Sequence, residues 1–62
     1  MYIKTFEWEI DDYVVSKTNR FNLTRGKKYL IVDDAGEGDI FVIKNDLGEL
    51  THFADFWFKK SE

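Results

Sequence analysis

The stretch that most constrains this chain runs from Ile40 to Phe53, reading Ile-Phe-Val-Ile-Lys-Asn-Asp-Leu-Gly-Glu-Leu-Thr-His-Phe. An apolar, β-branched run enters Asn45-Asp46-Leu47-Gly48, and a second run leaves it. Asn, Asp and Gly tolerate the left-handed backbone that reverses a strand, so this is a hairpin signal. A second fixed point lies upstream. Leu23-Thr24-Arg25-Gly26 closes a turn at Gly26, and Lys27 to Asp33 leaves it as a strand. Tyr29 and Ile31 take one face of that strand, Leu30 and Val32 the other. With both faces apolar, the strand is expected to be central in its sheet or covered on both sides. The two strands together read as the middle of a very small β-barrel.

The rest of the chain is compatible with that middle. Residues 2 to 10 alternate, with Ile3 and Lys4 breaking the pattern near the end: Tyr2, Phe6, Trp8 and Ile10 fall on one parity, Thr5, Glu7 and Glu9 on the other. That period predicts a half-buried N-terminal strand at about 2–10. Asp11-Asp12 interrupts it, and Tyr13-Val14-Val15 begins a short β-rich run ending near Lys17. Residues 18 to 22 form a polar loop with one anchoring ring, Phe21, in which Asn19 and Asn22 suit left-handed backbone. Residues 34 to 39 are a loop on composition, with two glycines and three acids. A single 3₁₀ turn is expected over Ala54-Asp55-Phe56 and a last short strand over Trp57-Phe58-Lys59. Nothing longer than about seven residues shows helical apolar spacing. The class is all-β.

Sixty-two residues make one domain, and a chain this short buries only about 60% of its unfolded surface. Eleven aromatic residues supply the dense core such a domain needs. The absence of cysteine excludes disulfides, thiolate nucleophiles and Cys-based zinc sites, and points to a cytoplasmic life. No stretch reaches the roughly 20 apolar residues that span a bilayer, and the acids at Glu7 and Glu9 are unlike a signal peptide. No membrane partner is expected. Charge is uneven: residues 1 to 31 carry +2 and residues 32 to 62 carry −5, for a total of −3. Lys17, Arg20, Arg25, Lys27 and Lys28 form a segment without acids; Asp33, Asp34, Glu37 and Asp39 form one without bases.

The strings Leu23-Thr24-Arg25-Gly26-Lys27-Lys28-Tyr29 and Asn45-Asp46-Leu47-Gly48-Glu49, followed by Phe53 and Phe58, resemble a known pattern. It is that of small SH3-like proteins of tailed bacteriophages and prophages, most of them without assigned function. The resemblance covers about residues 13 to 59 and leaves the N-terminal strand outside. It implies one SH3-like barrel domain over residues 1–62, five- to six-stranded and antiparallel, with an OB-like barrel as the other architecture of this size. Two departures stand out. Where that pattern has Trp, Tyr and Pro before the last turn, this chain has His52, Phe53 and Ala54. Where polar residues are usual before Phe58, it has Phe56 and Trp57.

Candidate chemistry is sparse. His52 is the only histidine, without a partnering nucleophile or ligand spacing, and reads as a strand-face residue. The acids at 33, 34, 37 and 39 do not follow an EF-hand and read as a solvated loop, or as negative charge shown to a basic partner. No acid–base pair or nucleophile constellation assembles, so the chain is read as a non-enzyme without cofactor or metal. Arg20, Arg25, Lys27 and Lys28 are the candidates for anions or nucleic acid, against a net negative charge. Phe56, Trp57 and Trp8 are the candidates for a protein interface. If Phe58 points inward, Trp57 points away, and outward aromatics mark binding hot spots. The competing arrangement folds the N-terminal strand, with Phe6 and Trp8, over Phe56 and Trp57 as a second mini-core. A proline-peptide groove is not expected, because its acidic loop and tyrosine motif are absent. The reading is therefore a protein-interaction module binding a host or phage protein, or itself, with a nucleic-acid-binding barrel as the alternative.

Overall fold

The computed structural model describes residues 3–61. Five strands form, β1 (Tyr13–Ser16), β2 (Lys28–Asp34), β3 (Ile40–Lys44), β4 (Leu50–Ala54) and β5 (Phe58–Lys60), with a 3₁₀ turn over Asp55–Trp57. All pairings are antiparallel, and the strand order is β4-β3-β2-β1-β5. No α-helix occurs among the described residues, and none of them forms a helix long and apolar enough to cross a membrane.

The hairpin forms where its turn chemistry places it. The Gly48 amide donates to the Asn45 carbonyl at 2.9 Å, and Gly48 holds φ +81°. The Asn45 side-chain oxygen accepts from the Leu47 and Glu49 amides at 2.9 and 3.0 Å, so the turn is tied internally before the strands meet. Gly26, at φ +84°, does the same service at the entrance to β2. β2 is central, as its two apolar faces suggested, but it is not covered twice. Tyr29 and Ile31 are buried, whereas Leu30 is half-buried and Val32 exposed. A register shift between Ile31 and Asp33 bends the strand, which lets both flanking ladders curl over one core.

Aromatic rings dominate that core. Phe58 sits at its hub, meeting Phe41, Phe53 and Tyr29 at centroid distances of 5.2, 5.7 and 6.2 Å, all edge-on. Edge-to-face pairs of this kind each contribute about 0.5–1.5 kcal/mol beyond the area they bury. In a domain of this size that is a large share of a total of roughly 3–9 kcal/mol.

Two expectations are corrected. The sheet is not closed into a barrel: β4 and β5 remain edges, joined in sequence by the 3₁₀ turn. And residues 3–10 form no strand; Tyr2 lies outside the described residues. The alternation there reports which rings turn inward, with Phe6 half-buried and Trp8 buried, not a hydrogen-bonded ladder. The segment is held instead by the Asp55 carboxylate in the 3₁₀ turn. Asp55 is fully buried and accepts from the Thr5 amide (2.8 Å), the Thr5 hydroxyl (2.5 Å) and the Trp8 indole N–H (2.9 Å). A buried carboxylate is tolerable only with such saturation of its lone pairs. Residues 3–10 thus lie against the turn that joins the two sheet edges.

Candidate functional site

Three rings gather at the surface where the loop between β1 and β2 meets the 3₁₀ turn. Phe21 stands edge-on to Trp57 at 5.2 Å, and Trp57 lies tilted on Phe56 at 5.0 Å. Phe21 also reaches Phe53 at 6.0 Å, which joins the cluster to the core below. Phe21 and Phe56 are 48% and 52% exposed, while Trp57 is half-buried between them. The arrangement is an aromatic ridge with its base in the core and its crest in water.

The loop that carries Phe21 is pinned along its length. Ser16 Oγ accepts from the Thr18 amide and donates to the Thr18 carbonyl, and Thr18 Oγ1 accepts from the Arg20 amide. Asn19 Oδ1 accepts from the Arg25 amide, and the Lys17 amide donates to the Trp57 carbonyl at 2.8 Å. Phe21 and Asn22 both adopt left-handed backbone, φ +61° and +59°. For Asn22 this is ordinary; for a bulky ring it costs on the order of 1 kcal/mol. The strained backbone carries a phenyl ring that stands half in water and half against Trp57 and Phe53.

A second network fixes the far end of the loop. Asp46, in the β3–β4 turn, accepts from Lys27 Nζ and the Tyr29 hydroxyl at 2.8 Å and from Thr24 Oγ1 at 2.7 Å, while its amide donates to the Asn22 carbonyl. Hydrogen bonds from Lys27, then Thr24 and Tyr29, hold the Asp46 carboxyl at about 2, well below its ordinary 3.8. The same bond pushes the Lys27 ammonium up, and burial raises the Tyr29 phenol.

The sequence candidates separate accordingly. Phe56 and Trp57 lie together on the ridge. Trp8 does not join them: its ring packs edge-on against Phe41 at 4.9 Å and its N–H is taken by Asp55, so at 3% exposure it is core. Trp8 therefore does not take part in a separate mini-core over Phe56 and Trp57; Phe21 is the ring that leans on Trp57. Among the basic candidates Lys27 is engaged by Asp46 in the one ion pair among the described residues, while Arg20, Arg25 and Lys28 are exposed. His52 is an exposed β4 residue opposite Val42. In the acidic loop, Asp33 and Asp34 accept from the Asp34 and Gly36 amides, shaping the turn; among the described residues no group of acids and histidines is arranged to hold a metal ion. A cleft of about 560 Å³ opens between that loop and residues 4–10, with Trp8 and Ile10 on one wall and Asp34 and Glu37 on the other.

Phe21, read from sequence as an anchor, is half in the site; its position at the tip of a loop with no other apolar side chain was the available signal. Lys59 carries no local signal in the sequence, because only the long-range β1–β5 pairing brings it into line with Lys28 across Val15. Fold and site together define a small all-β domain built on a five-stranded antiparallel sheet. Comparison with protein-family models, with curated proteins and with solved structures finds no match.

Proposed function

We propose that this chain is a non-enzymatic protein-interaction module of SH3-like architecture that binds a partner protein through the Phe21–Trp57–Phe56 ridge. The observation that carries the reading is the ridge itself: three aromatic rings joined through Trp57, two of them about half exposed, one of them on left-handed backbone. Clustered exposed aromatics on a small domain mark interfaces, because they supply large contact area at low entropic cost. The SH3-like architecture is supported by β1 pairing with both β2 and β5, and by the 3₁₀ turn between β4 and β5. The phage or prophage origin, the host or phage identity of the partner and the cytoplasmic setting rest on the sequence resemblance and on the lack of cysteine. The cations beside the ridge, Lys17 next to the Trp57 backbone and Arg20 next to Phe21, favour a partner segment that carries acids around an apolar anchor.

The test is capture from a bacterial lysate at high salt by the immobilised domain and by its Phe21→Ser and Phe56→Ser variants. A protein retained by the parent and lost by both variants, while their urea midpoints stay close to the parent's, is the expected result. Equal retention by parent and variants would remove the ridge from the account. Sedimentation velocity of the isolated domain distinguishes a partner from a second copy.

A further inference from the structure

The outer face of the sheet, on the opposite side from the core, carries a second constellation. β1 lies between β2 and β5, and residues directly paired across strands share a face. Val15 is paired with Lys28 on one side and Lys59 on the other, and Tyr13 is paired with Leu30. The Ser61 amide donates to the Tyr13 carbonyl, extending the β5 side alongside Tyr13. Val14, Ser16, Tyr29, Ile31 and Phe58 are buried on the inner face, so Tyr13, Val15, Lys28 and Lys59 stand on the outer one. Tyr13 is 54% exposed, Lys28, Lys59 and Lys60 are exposed, and a hollow of about 360 Å³ runs between Val15, Gly26, the three lysines and Ser61.

We infer that this face binds single-stranded nucleic acid, a base stacking on Tyr13 and the adjoining phosphates resting on Lys28 and Lys59. Lys28 and Lys59 lie two strands apart, about 10 Å at the backbone, with a half-buried valine between them. Two exposed ammonium groups on either side of one apolar residue form a positive patch that an anion complements. An acidic peptide would answer the lysines alone. The exposed ring two residues along the central strand adds a π-face, which bases use and carboxylates do not. The far end of the same face turns acidic at Asp33, which is paired with Val42, so phosphates are excluded there and the footprint is about two nucleotides. The site shares only Lys28 with the basic segment read from sequence: Lys27 is held by Asp46, and Lys28 and Lys59 come from two strands 31 residues apart in the chain.

Fluorescence anisotropy of a labelled short oligodeoxythymidylate, titrated with the full chain, tests the site. With about two phosphates engaged, the single-strand slope is about −1.4, so affinity falls about sevenfold between 50 and 200 mM salt. Tyr13→Ala is expected to weaken binding about tenfold or more, and Tyr13→Phe to retain it. Lys28→Gln with Lys59→Gln should flatten the slope almost completely, and Phe56→Ser should change nothing. Circular dichroism of each variant confirms that the sheet is kept; Tyr13→Phe and Phe56→Ser serve as the folded comparators. No saturable binding at 50 mM salt, or binding that Tyr13→Ala leaves intact, overturns the proposal. So does polyglutamate binding as tightly as the oligonucleotide, which would reassign the face to an acidic protein.

Discussion

Two aspartates show how differently one side-chain type is used within 62 residues. Asp55 is wholly buried and holds the N-terminal segment by three donors, two of them from Thr5 and one from Trp8. Asp55→Asn replaces one accepting oxygen by a donor facing donors. The expected loss is about 2–4 kcal/mol in urea unfolding, with Trp8 emission shifting as its N–H loses its partner. Asp46 is exposed at the rim and fastens the β3–β4 turn to the loop that presents Phe21. Its carboxyl sits at about 2 when folded against an ordinary 3.8, so the folded state releases the proton more readily than the unfolded one. Its stabilising contribution is therefore complete above about pH 4 and is lost as pH falls towards 2. Melting temperatures of the parent and of Asp46→Asn are expected to differ at pH 6 and to converge by pH 2.

At the scale of elements, the legible parts were those decided locally. The β3–β4 hairpin needed only Asn45 and Gly48, whose turn preferences act over four residues, and the structure uses both. Gly48→Ala places a Cβ at φ +81° and is expected to cost about 1 kcal/mol in thermal unfolding with little change in contacts, since open space surrounds the position. The 3₁₀ turn fell one residue later than its sequence reading, at Asp55–Trp57. The N-terminal segment was misread because alternation reports burial of alternate side chains and not the ladder that a strand requires. Phe6 and Trp8 do turn inward, but the Thr5 amide goes to a carboxylate 50 residues away. A bond of that range leaves no trace in local pattern. The same holds for the outer face: Lys28 and Lys59 become neighbours only through the β1–β5 pairing.

At the scale of the molecule, charge follows the sheet. Lys28 opens β2 and Asp33 and Asp34 close it about 20 Å away, with Lys59 and Lys60 joining the basic end from β5. The net charge of −3 concealed this polarity, and it separates two surfaces of different character. The aromatic ridge is apolar with cations beside it. The outer face sets lysines beside a tyrosine. The ridge, whose Phe21 is bound to Trp57 across a strained loop, is the feature the fold takes most trouble to present. The proposal that it binds a protein is tested most directly by backbone amide hydrogen exchange of the domain, alone and with the protein captured in the lysate experiment. The account expects protection on binding to concentrate at residues 19–22 and 55–57, with β1 and β5 unchanged. Protection confined to the outer face or to the acidic loop, with those two segments unaltered, would contradict it.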